Sequence, residues 1–108
     1  SHNLVVVGTS DEDMCRAVNL LIENRGGLSA VDATSEHVLP LPVAGLMSHQ
    51  EGYQVAATYT TLDQFVKNKL GSTLTAPFMT LSFMALLVIP HLKLSDQGLF
   101  DGDQFKLL

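Results

Sequence analysis

Met14, Ala17, Val18, Leu21 and Ile22 stand at i, i+3, i+4, i+7 and i+8, and Gly26-Gly27 follows shortly after. No other pattern narrows the folding choices of this chain as much. The spacing places all five side chains on one stripe of an α-helix, which must then bury that stripe against something else. Thr9 and Ser10 offer an N-cap ahead of it. Asp11, Glu12 and Asp13 fill the first turn, where the helix dipole favours negative charge. The two glycines stop the helix by permitting positive φ beyond its last turn. Leu21, in the middle of the stripe, is expected in the core.

Extended segments flank this helix. Leu4-Val5-Val6-Val7 is continuously apolar and β-branched and predicts a first strand ended by Gly8. Residues 28–33 and 36–41 predict a hairpin around Thr34-Ser35. Pro40 and Pro42 then place Leu39-Pro40-Leu41-Pro42 at a sheet edge or outside the sheet. Ser48-His49-Gln50-Glu51 has the form of a capping box. The apolar series Val55, Tyr59, Leu62, Val66 and Leu70 continues from it to Gly71 and predicts a second helix. Residues 78–84 alternate in part and predict a strand, and Val88-Ile89-Pro90 predicts a short extended piece. Leu92-Lys93-Leu94, the turn Ser95-Asp96-Gln97-Gly98 and Gln104-Phe105-Lys106-Leu107 complete the set. The order β-α-β-β-α-β plus short strands predicts the α+β class. The expected architecture is a two-layer domain, a mostly antiparallel β-sheet with two helices packed on one face, and residues 1–108 forming a single domain.

Length then sets a ceiling on function. The 108 residues cannot contain a (β/α)₈ barrel, which takes about 250. Six Lys+Arg against eleven Asp+Glu give a net charge of −5, with the basic residues scattered, so nucleic acid and anionic membranes are not expected partners. Cys15 is alone and cannot form an internal disulfide. The longest apolar run, residues 83–89, is seven long, against the roughly 20 needed to span a bilayer. No export signal is visible, so the expected setting is a soluble, cytoplasmic domain.

The residues that invite chemistry fit plainer roles. His2, His37, His49 and His91 are at least 12 positions apart and lack a Cys or His partner at ligand spacing. Asp11, Glu12 and Asp13 are accounted for by the helix start. Asp96, Asp101 and Asp103 lack the order of a calcium loop. Val7-Gly8-Thr9 precedes a helix as a phosphate loop would, but the three carboxylates that follow would repel the anion. Cys15 has no neighbouring histidine to activate it, and a partly buried, inert thiol is expected. No catalytic, cofactor-binding or metal-binding residue is therefore expected in this chain.

Several ordered segments carry a family resemblance. Residues 1–9 with Asp11-Glu12-Asp13-Met14, then Leu39-Pro40-Leu41-Pro42-Val43-Ala44-Gly45-Leu46-Met47-Ser48, resemble the C-terminal domain of bacterial adenine deaminases. Pro77-Phe78-Met79-Thr80-Leu81-Ser82-Phe83, Val88-Ile89-Pro90, Leu92-Lys93-Leu94 and Asp96-Gln97-Gly98-Leu99 are similar to its last third. The resemblance implies a parent enzyme of the amidohydrolase superfamily that hydrolyses adenine to hypoxanthine and ammonia, a purine-salvage reaction. It implies manganese or iron in the parent's barrel and none in this fragment, because the barrel and its H-x-H motif are absent. Ser1 is not methionine and enters the first motif directly, which fits a segment following such a barrel. The expected partner is the barrel of the same parent chain, with a homodimer as a further option. Two other readings stay open: a free-standing ligand-binding or oligomerisation module, and an independent enzyme using Asp11 or His2. The segment from Leu39 to Met47 also has two readings, as a plug of the domain's own core or as a docking surface for the barrel or a second copy.

Overall fold

A computed structural model describes residues 3–108 of the chain. They form two compact units, residues 6–77 and residues 3–5 together with 78–108. The elements are α1 (Asp11–Glu23), β1 (Gly27–Val31), β2 (Glu36–Pro40), α2 (Gly52–Asn68), α3 (Pro77–Phe83), β3 (Leu92–Ser95), β4 (Gly98–Asp101) and β5 (Lys106–Leu107). The α+β class and antiparallel pairing hold, with three helices and two separate sheets, β1-β2 and β3-β4-β5.

In residues 6–77, α1 starts where the sequence places it. Ser10 is the N-cap, and its hydroxyl accepts the Asp13 N–H at 3.2 Å. At the other end Arg25, Gly26 and Gly27 all take positive φ, 61°, 111° and 131°. This run swings the chain from helix into β1, and the Gly26 N–H closes on the Leu21 carbonyl at 2.7 Å. Glycine is required at 27 for a second reason: a Cβ there would collide with the Leu39 carbonyl on the paired strand. β1 and β2 pair antiparallel from Gly27↔Pro40 to Val31↔Glu36.

The hairpin turn is tied by Asp32, whose carboxylate accepts the Thr34 and Ser35 N–H groups at 2.8 and 2.6 Å. The Thr34 N–H, then the Ser35 N–H and the Thr34 hydroxyl, hold this carboxyl below the ordinary aspartate value of 3.8, and the charge of His37 adds to the effect. A folded-state value below the unfolded one means the turn gains stability above pH 3.8 and loses it as pH falls through the lower folded value. Asp32→Ala is therefore expected to lower the melting temperature at neutral pH, with the gap to the parent sequence closing in acid. A gap of constant size from neutral to strongly acidic pH, read by circular dichroism, would contradict this.

Cross-strand pairing sets the two faces of the hairpin. Leu28, Ala30, His37 and Leu39 share one face, and His37 stacks on Phe65 of α2 with ring centroids 4.3 Å apart. Ser29 and Glu36 lie on the other, where the Ser29 hydroxyl donates to the Ala17 carbonyl of α1 at 2.8 Å and Arg16 pairs with Glu36 at 2.9 Å. The expected common face for both helices thus gives way to one helix on each side of the ribbon. α2 covers the apolar face, while α1 is held to the other by the Ser29 and Glu36 contacts. The buried core is Ala30, Leu39, Leu62 and Phe65, with Leu39 and Leu62 nearly inaccessible. α1 buries none of its side chains fully: Leu21 is half-buried and Ile22 exposed, so the core centres on the α2 face rather than on the first stripe.

α2 begins later than the capping box predicts. Glu51 is its N-cap, without a side-chain cap bond. The Ser48 hydroxyl instead accepts the Gln50 N–H at 3.0 Å, a local turn that competes with the cap. Thr58, Thr60 and Thr61 donate to the carbonyls of Gln54, Ala56 and Ala57 one turn back, so their hydroxyls are satisfied within the helix.

Three expected extended segments are not strands. Residues 4–7 enter no ladder among the described residues, and Leu4, Val6 and Val7 are exposed. Residues 78–84, expected as a strand, lie mostly in α3. Pro77 occupies the first helical position, where its fixed φ and missing N–H favour a helix start. The partial alternation also places Phe78 and Leu81 three residues apart, a spacing that a helix satisfies equally. Val88-Ile89-Pro90 forms turns. The β3–β4 hairpin has the predicted turn, with Gly98 at φ 121°, and β5 supplies the short last strand.

Candidate functional site

Among the described residues, those singled out for chemistry are dispersed. Asp11, Glu12 and Asp13 occupy the first turn of α1, and Asp13 meets Arg16 at 3.3 Å. The Arg16 guanidinium is held above its ordinary value, chiefly by its bond to Glu36. It also donates to the Asp32 carbonyl at 2.8 Å, so this charge cluster fastens α1 to the hairpin. Cys15 is exposed rather than partly buried, with the Asn19 amide at 3.8 Å as its polar contact. It lies on the outer side of α1, one position off the apolar stripe.

His37 is stacked on Phe65, and His49 is exposed in the turn before α2. His2 lies outside the described residues. His91 meets Asp103 through Nδ1 at 2.7 Å, an exposed pair that ties the entry of β3 to the β4–β5 turn. In that turn the Asp101 carboxylate accepts the Asp103 and Gln104 N–H groups at 2.9 and 3.1 Å. Asp96 sits in the β3–β4 turn. Among the described residues no three His, Cys, Asp or Glu side chains converge as a metal site would require, so the donor set here does not fit a divalent ion. No described helix is long and apolar enough to cross a membrane.

The concave surfaces have a different character. In residues 6–77 a cleft of about 710 Å³ is lined by Leu41, Leu46, Met47, Val55, Ala56 and Tyr59, with Ser48, Gln50, Gly52 and Thr60 at its margin. None of these carries a charge. In the other unit a cleft of about 460 Å³ is lined by residues 3–5, 84, 85, 87 and 94–96, of which Asp96 is the charged member. Exposed apolar side chains are unusually large and numerous. Val7, Tyr53 and Leu94 are 77%, 85% and 81% accessible, and no side chain of residues 78–108 is buried. Exposed apolar surface of this kind suits contact with another protein surface.

The segment from Leu39 to Met47 proves to be divided. Leu39 is core at 2% exposure, whereas Leu46 and Met47 are 44% and 56% exposed. The core reading, made for Leu41, Leu46 and Met47, therefore holds for none of the three in full: Leu41 is half-buried, and Leu46 and Met47 stay exposed. The Asp32 and Arg16 network escaped sequence reasoning. The Asp-x-Thr-Ser spacing of residues 32–35 is a readable signal for the turn, but the pairing of Arg16 with Glu36 depends on tertiary structure.

A family model described as "Adenine deaminase C-terminal domain" matches residues 1–106. A protein named adenine deaminase from Sulfurovum sp. (strain NBC37-1) is 56% identical over 108 residues, all of this chain and 20% of that relative. Relatives of the same name from Salinibacter ruber and Methanosarcina barkeri are 55% and 53% identical over the whole chain, which covers 20% and 19% of them. The chain thus spans about a fifth of the length of the curated relatives it matches. No solved structure matches it. A match of this extent and identity leaves one assignment: the chain belongs to the adenine deaminase C-terminal domain family.

Proposed function

We propose that residues 1–108 are the accessory domain of a metal-dependent adenine deaminase, and that the chemistry belongs to the other four-fifths of the parent chain. The reaction adds water to adenine and releases hypoxanthine and ammonia, with manganese or iron held by an amidohydrolase barrel. The observation that carries this reading is the match of the whole chain to only a fifth of each relative. The dispersed histidines and carboxylates described above support it, because they give the segment a structural role. A soluble, cytoplasmic enzyme of purine salvage suits such a reaction.

Full-length protein carrying residues 1–108 tests the reading. It is expected to release ammonia from adenine when loaded with manganese or iron. His49→Ala combined with His91→Ala in that protein is expected to leave bound metal per chain unchanged and the turnover rate within about twofold, the reach of a surface change of ~0.5 kcal/mol. Absence of adenine-dependent ammonia from the loaded parent would sink the enzyme reading. Loss of bound metal in the double variant would put ligands in this segment and sink the accessory role.

A further inference from the structure

We infer that the uncharged cleft between the turn at residues 43–47 and the first half of α2 is the seat on which residues 6–77 hold the rest of the parent chain, and that it takes an uncharged apolar ridge. This rests on the proposed accessory role and names the surface that performs it.

The seat is a shallow apolar surface. Its walls are Leu41, Leu46 and Met47 on one side and Val55, Ala56 and Tyr59 on the other. Leu46 and Met47 remain 44% and 56% exposed although Leu39, a few residues earlier, is fully buried. A methionine, a tyrosine and leucines in a lining that carries no charge form the composition found at the centre of protein interfaces.

The turn that presents them is fixed in place. The Val43 N–H donates to the Met47 carbonyl at 3.0 Å, and the Leu46 and Met47 N–H groups both donate to the Val43 carbonyl at 3.1 Å. Ala44 and Gly45 take φ of 59° and 74°, a left-handed pair in which Ala44 is strained. Gly45 lies against Gly26 so closely that a Cβ on Gly26 would come within 2.5 Å of the Gly45 Cα. The apolar side chains are therefore held out on a clamped turn, and docking on them orders little that was mobile.

The occupant follows from chain length and concentration. The relatives extend about five times the length of this chain. A surface on the same chain is present at an effective concentration on the order of millimolar. It fills the seat ahead of any free partner of similar apolar character, including another copy.

Hydrogen exchange followed by mass spectrometry on the full-length protein tests this. With Leu46→Asp, exchange in residues 43–47 and in at least one segment outside residues 1–108 is expected to accelerate on the order of tenfold or more, while the amides of Ala30 and Leu39 keep their protection. Leu46→Met, which keeps volume and apolarity, is expected to behave as the parent. Unchanged exchange outside residues 1–108 overturns the proposal, as does protection of residues 43–47 that rises with protein concentration, the mark of a second copy. Loss of protection at Ala30 and Leu39 in Leu46→Asp also overturns it, because Leu46 would then be core. Ammonia release from adenine by the unaltered protein, measured in parallel, reports on the enzyme reading separately.

Discussion

Leu62→Ala lowers the unfolding free energy of residues 6–77 by about 2–5 kcal/mol, the range for truncating a buried leucine where the surroundings relax only in part. Leu62 is 1% exposed and belongs to a buried apolar core of four residues with Ala30, Leu39 and Phe65. So small a core has little material with which to close a cavity, and the methylenes removed are a large share of what α2 buries. Ile22→Ala, on the α1 stripe but 62% exposed, is expected to cost less than about 1 kcal/mol. Urea unfolding followed by circular dichroism separates them, with Leu62→Ala shifting the midpoint strongly at constant slope and Ile22→Ala hardly at all. Equal shifts would mean that the two helices share the core evenly, contrary to the burial described here.

That contrast shows where periodicity informs and where it stops. The stripe from Met14 to Ile22 was a sound guide to a helix, and the Gly26-Gly27 stop is realised as a run of positive φ. The same stripe was a poor guide to the core. Amphipathicity tells which side of a helix is apolar, but not how completely its neighbour covers it. The hairpin was legible because its turn chemistry is local: Asp32 binds the two N–H groups beyond it, whatever the rest of the chain does. Residues 78–84 were not legible as helix, since a seven-residue apolar segment satisfies both periods and Pro77 decides between them. Residues 4–7 have strand composition without a strand partner, and composition cannot supply one.

The candidate site was legible mainly as a lack of chemistry at suitable spacing. Distances along the chain separated the histidines; among the described residues His37 stacks on an aromatic ring and His91 meets a carboxylate. The exposure of Leu46 and Met47 needed coordinates. Sequence marks the segment as apolar and broken by Pro40, Pro42 and Gly45, yet only the fold shows Leu39 buried and Val43, Leu46 and Met47 exposed.

The proposal that the chemistry lies elsewhere in a parent chain is tested most directly by ammonia release from residues 1–108 alone. The purified 108-residue segment, supplied with adenine and with manganese or iron, is expected to yield no ammonia above a metal-only blank. Full-length protein under the same conditions is expected to turn adenine over. The expected difference is complete rather than graded, because deamination needs a metal-activated water and the described residues offer no converging set of ligands to hold the ion. Adenine-dependent ammonia that scales with the concentration of the isolated segment would contradict the account.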